Sequence, residues 1–204
     1  MKKLQITFVI LLGINIITNA QTRFGVKGGI NFASISLSVS GINITSDNNI
    51  GFHAGLLTEM PISEKFLFQP NLLYSVKGGK FSSTVSGSTT SSSGKYNYLE
   101  VPLNFLFKAT DGFSIGGGPY LAYLLSATDD KGTSVSLDGA NKFDYGVNLA
   151  ANYEFKGGFG VSAFYAYGLG NLASSSSSGG VSLGSVSVNN RVFGFSVIKY
   201  FGEK

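Results

Sequence analysis

Phe143-Asp-Tyr-Gly-Val-Asn-Leu-Ala-Ala-Asn-Tyr-Glu-Phe155 alternates without a break. Its odd positions (Phe143, Tyr145, Val147, Leu149, Ala151, Tyr153, Phe155) are apolar, and its even positions (Asp144, Gly146, Asn148, Ala150, Asn152, Glu154) are small or polar. At the chain's 43% apolar frequency, an unbroken series of this length arises by chance about 0.3% of the time. Successive side chains of a strand point to opposite faces, so this stretch predicts a strand with two chemically distinct faces.

The same alternation recurs on either side. Preceding strands are expected at about Arg23–Ser36, Ile50–Pro61, Phe66–Ser82, Lys95–Lys108 and Phe113–Ser126. Following ones are expected at Phe159–Leu172 and Asn190–Phe201, making eight with Lys142–Phe155. The connections alternate in length. Ile62–Lys65, Ala109–Gly112 and Lys156–Gly158 are short and carry Gly or charge, as hairpin turns do. Leu37–Asn49, Ser83–Gly94, Ala127–Asn141 and Ala173–Asn189 are longer and rich in Ser, Thr, Gly and Asn. An even number of antiparallel strands, with short turns at one end and long loops at the other, is the layout of a transmembrane β-barrel. Closure leaves no unpaired strand edge in lipid. The predicted fold is therefore all-β: a closed eight-stranded antiparallel up-and-down barrel over residues 21–204.

Composition agrees. Charged residues are only 13% of 204, Gly numbers 28, Phe 17 and Tyr 10. Cysteine is absent, which excludes disulfide scaffolds, thiolate metal sites and cysteine nucleophiles. The net charge is +4, but Lys2 and Lys3 supply half of it, and the remaining basic residues are too scattered for nucleic-acid binding. The basic start is followed by the apolar run Ile6–Ile17 and by Thr18-Asn19-Ala20. That order is the n-, h- and c-region of a secretory signal over residues 1–20, with cleavage expected before Gln21. Twelve helical residues span roughly 18 Å, too short for a bilayer core of about 30 Å.

Two arguments place the apolar face against lipid. A small barrel has interior room only for side chains. The other face is mostly Gly, Ser and Asn, whereas a soluble protein's outer face carries many Lys and Glu. The few charges on that polar face, Lys27, Lys77, Glu59, Glu100 and Glu154 among them, are thus expected inside. Buried charges persist when paired. The reading by height along the strands is a lumen charge network, with Lys27–Glu59 as first pair, Lys77–Glu100 as second, and Glu154 at the level of Glu59.

Phe24-Gly-Val-Lys-Gly-Gly-Ile-Asn-Phe32, Glu100-Val-Pro-Leu-Asn-Phe-Leu-Phe107 and Gly116-Gly-Gly-Pro-Tyr120 resemble the PorT-like outer-membrane β-barrel domain family of Bacteroidota. The resemblance spans essentially all of Gln21–Lys204. It implies an eight-stranded barrel inserted by the outer-membrane assembly machinery, with one member type linked to protein secretion. The last strand departs from the family's usual terminal aromatic, since Gly-Glu-Lys follows Phe201.

No catalytic, cofactor or metal site is expected. Gly168-Leu-Gly-Asn-Leu-Ala173 matches a dinucleotide fingerprint, but the Ser-rich run after it is no helix. His53 is the only histidine, there is no Gly-x-Ser-x-Gly elbow, and a polar lumen position accounts for it. Asp129-Asp130 falls short of the six or more oxygens a hard cation takes. The expected function is a monomeric outer-membrane barrel with a filled lumen, acting structurally or through an extracellular partner at its four loops. The alternatives are a small channel, a secretion accessory or an outer-membrane lipid enzyme.

Overall fold

A computed structural model describes residues 22–39, 42–85, 88–137, 141–172 and 186–202. The expected signal segment and most of the last long connection lie outside the described residues. The strands are β1 (Arg23–Val39), β2 (Ile42–Thr45), β3 (Asp47–Pro61), β4 (Phe66–Val85), β5 (Ser88–Lys108), β6 (Phe113–Thr128), β7 (Ser134–Val135), β8 (Phe143–Glu154), β9 (Phe159–Gly168) and β10 (Val186–Phe201). Antiparallel pairing runs β1–β3–β4–β5–β6–β8–β9–β10, and β10 pairs with β1, so eight strands close a barrel. β2 and β7 are short pieces that fold back onto β1 and β6. Among the described residues no helix is long and apolar enough to cross a membrane, and the crossing is made by strands.

Burial inverts the pattern of a soluble protein. On β8, Phe143 (64%) and Leu149 (57%) are exposed, whereas Asp144 (1%) and Asn148 (4%) are buried. Leu56, Leu121, Val161, Phe195 and Val197 likewise face outward on their strands. Gln69, Asn104 and Ser196 face inward. The outward run Phe143–Phe155 rises about 3.4 Å per residue and is tilted about 40°, giving a band about 30 Å tall. That matches a bilayer's hydrocarbon thickness. Aromatic rings gather at the short-turn end, where Phe66 stacks near Phe107 (5.5 Å) and Phe68 near Phe105 (4.8 Å).

Two of the expected loops are strand instead. Ser83–Gly94 is paired nearly to its tip, with Val85 opposite Ser88. β3 accompanies β4 only as far as Lys80, and β6 accompanies β5 only to Lys95. Phe81–Val85 and Ser88–Gly94 therefore form a two-stranded ribbon beyond the barrel wall. Leu37–Asn49 holds the end of β1, the strand β2 and the start of β3. Thr, Val and Ile keep strand propensity inside a Ser-rich composition that reads as loop. The third expected loop, Ala127–Asn141, holds only the short β7.

Candidate functional site

The lumen is the place where this chain concentrates chemistry, and the hydrogen-bond register decides which charges meet there. Arg23 lies directly opposite Glu59 across β1–β3. The row through Lys27 instead runs to Gly55, Leu73, Glu100, Ala122 and Asp144. Charges thus sort into two layers.

The lower layer sits at the short-turn end. The Arg23 guanidinium contacts Glu59 Oε1 at 2.5 Å and reaches Glu154 through Nη1–Oε1 at 2.7 Å and Nη2–Oε2 at 2.9 Å. It lies 4.7 Å above the Tyr200 ring. Gln69 Nε2 donates to Glu59 Oε2 and to the Tyr200 hydroxyl, both at 3.3 Å. One planar cation therefore ties β1, β3, β8 and β10 together across the opening.

The upper layer is built on Lys77. Its Nζ is 2.7 Å from Glu100 Oε2 and 3.5 Å from Asp144 Oδ2. The rings of Tyr120 and Tyr98 lie 4.6 Å and 5.1 Å from the same ammonium. Asp144 Oδ2 also accepts from Asn190 Nδ2 at 2.8 Å and from the Tyr120 hydroxyl at 3.2 Å. Lys77, Tyr98, Tyr120 and Asp144 are all at most 2% exposed and converge from four strands to fill the cross-section.

The expected first pair, Lys27–Glu59, does not form: Glu59 is held by Arg23. Among the described residues no carboxylate lies within 4 Å of the Lys27 ammonium. That ammonium faces the Phe164 ring at 5.2 Å. Counting height from the strand ends put Lys27 beside Glu59, but the ladder places it four residues further along β1 than Arg23. The structure does bring Lys77 to Glu100, and Glu154 to the level of Glu59. Arg23, Asp144, Tyr98 and Tyr120 were missed as members. Alternation already places Asp144 on the inward face, and Arg23 shares the parity of Lys27; what joins them to the network is the cross-strand register.

His53 sits between the layers. Asn31 Nδ2 donates to Phe52 O, Ser75 Oγ and Val76 O, which turns Asn31 Oδ1 toward His53 Nδ1 at 2.8 Å. Nδ1 therefore carries the ring proton, and Nε2 accepts from Ser196 Oγ at 2.8 Å. Serine, imidazole and amide stand in the order of an activated nucleophile. All three are buried, with the Phe164 ring edge-on to His53 at 5.2 Å. The arrangement holds the ring and satisfies buried polar atoms.

Elsewhere, the Asp129 carboxylate accepts the Lys131 and Thr133 backbone N–H groups at 3.0 and 2.7 Å, closing its own turn. Among the described residues no group of three or more His, Asp or Glu could hold a metal ion. Gly168 ends β9, and Ala173 lies outside the described residues.

The comparisons with known proteins agree with this architecture. The chain is similar to Neisserial surface protein A, with 14% identity and a TM-score of 0.55, over 87% of this chain and 97% of that one. It is also similar to the Yersinia pestis attachment invasion locus protein Ail, with 16% identity, 87% and 99% coverage and a TM-score of 0.41. For OprG of Pseudomonas aeruginosa the values are 14%, 90% and 98%, and 0.43. Of these, only the likeness to Neisserial surface protein A carries weight, and at 14% identity it speaks to fold alone. No curated protein matches the sequence. Residues 19–174 match the family described as outer membrane protein beta-barrel domain. With that match covering most of the chain and an apolar band wrapped around a polar, paired lumen, the protein belongs to the outer membrane protein beta-barrel domain family.

Proposed function

We propose that this outer-membrane barrel does not conduct and serves as a rigid base that presents its polar loop end to an extracellular partner. The observation that carries the reading is the upper layer, where Lys77, Tyr98, Tyr120 and Asp144 meet across the lumen. A passage at that height needs these side chains displaced and two carboxylates parted from their cation. The ribbon of β4 and β5 projects beyond the wall, and its Ser- and Thr-rich sequence suits a surface exposed to water. Membership of the PorT-like branch is part of the proposal and rests on the Phe24–Phe32, Glu100–Phe107 and Gly116–Tyr120 motifs. Monomeric state and insertion by the assembly machinery belong to it as well.

The test is a liposome-swelling assay with small sugars, run beside a mass analysis of the phospholipid in the same vesicles. The proposal expects neither swelling nor altered lipid. Swelling would replace it with the channel reading. Hydrolysed or acyl-transferred lipid would replace it with the enzyme reading, with Ser196 and His53 as first suspects.

A further inference from the structure

The outward face of β10 reads Phe193, Phe195, Val197, Lys199 and Phe201. Lys199 is a cation on the lipid side, two residues from rings that meet hydrocarbon. Among the described residues no carboxylate comes within 4 Å of it. Its ammonium donates to Gly157 O at 2.7 Å and lies 4.1 Å from the Phe159 ring centroid. It is thereby held at the rim of an open hollow of about 900 Å³ at the short-turn end.

The hollow's charged lining is Arg23, Asp111, Glu154, Lys156 and Lys199. Arg23 is held by both Glu154 and Glu59, a group of one cation and two carboxylates. Outside that group, the charged residues among the described lining are Lys156 and Lys199 against Asp111. Tyr153, Phe155, Phe159 and Phe201 flank it, each about half exposed and continuous with the apolar band. A charged lysine at such a boundary extends toward the headgroup layer while its stem stays in apolar surroundings.

We infer that this hollow seats the headgroup of an anionic phospholipid from the leaflet facing the short turns, which in barrels of this class is the periplasmic one. The phosphodiester anion is matched by Lys156 and Lys199, and the acyl chains lie along Tyr153, Phe155 and Phe201. The flanking rings favour the lipid over free phosphate, because a free anion would make no use of them. The inference stands whether or not the loop end has a partner.

The test is native mass spectrometry of the folded barrel released from detergent containing phosphatidylglycerol or phosphatidylcholine with identical acyl chains. The unaltered protein should retain phosphatidylglycerol selectively. Each of Lys156→Gln and Lys199→Gln should weaken retention about fivefold, the effect of one basic residue near an anionic surface. Asp111→Asn should strengthen it. Lys156 is exposed on its turn, so Lys156→Gln reports on binding even if Lys199→Gln disturbs the β8–β9 turn; heat-modifiable gel migration establishes that each variant is folded. Equal retention of the two lipids, or full retention by the folded double variant, overturns the inference. Displacement of phosphatidylglycerol by millimolar inorganic phosphate overturns the assignment to lipid.

Discussion

Arg23 and Lys27 stand four residues apart on one inward face, yet their surroundings differ, and the difference is measurable. Arg23 is wedged between Glu59 and Glu154, so Arg23→Met takes the cation from one buried carboxylate, Glu59, and one half-buried one, Glu154. In urea titrations in lipid vesicles, Arg23→Met and Glu59→Gln should each destabilise, with a coupling energy of about 1–3 kcal/mol between them. Lys27→Met and Glu59→Gln should be additive within about 0.5 kcal/mol. Lys77→Met should cost about 3–5 kcal/mol, the penalty for stranding a buried partner, and removal of Glu100 and Asp144 as well should restore much of it. Strict additivity of the Arg23 and Glu59 variants would contradict the lower layer. That the lumen carries charge was legible from the parity of Lys77, Glu100 and Glu154. Which charges meet was not. Pairing depends on strand tilt and register, and neither is written in the position of a residue along its own strand.

At the scale of the strand, the two faces obey different rules. Leu149 points into lipid and Asn148 into the lumen. Leu149→Arg should cost about 2–4 kcal/mol at the bilayer midplane, with the cost changing as lipids of different chain length are used. Asn148→Arg should be insensitive to bilayer thickness, because it crowds Asn104, to whose Oδ1 the Asn148 amide donates. The paired glycines of β1 make a similar contrast. A Cβ on Gly29 would stand 1.9 Å from Phe195 O and 2.7 Å from Ser196 Cα, while one on Gly28 meets nothing closer than 3.8 Å. Gly29→Ala should therefore destabilise by about 1–3 kcal/mol, and Gly28→Ala should be tolerated, as read by the same titrations. The strands themselves were legible, since alternation fixed where seven of the eight barrel strands begin or end at the short-turn side. Their far ends were not, because Ser, Thr and Gly serve an exposed loop and a solvated β-ribbon equally well. Register shifts near Asn48–His53 and at Asn97–Tyr98 add extra residues that a strict period of two does not anticipate.

For the whole molecule, the sequence's low charge and its two-faced strands lead to one object: a closed wall with lipid outside and a filled, charged lumen inside. The lumen is a liability unless its polar groups find partners. The two ion-paired layers with the His53 chain between them supply many of these, while Asn71 Oδ1, Asn152 Oδ1 and Ser162 Oγ remain without a hydrogen bond among the described residues. On this lumen rests the proposal of a non-conducting base with recognition at its loop end. The chain has no cysteine, so a single introduced cysteine can carry a spin label at any chosen position. The most direct test is a label scan from Phe143 to Phe155 in bilayers, measuring collision with oxygen and with a water-soluble nickel chelate. The account predicts high oxygen and low nickel accessibility at Tyr145, Val147 and Leu149, and low accessibility to both at Asp144, Gly146 and Asn148. Nickel reaching the even positions would mean an open, wet lumen, and nickel reaching the odd positions would mean that this face meets water and not lipid.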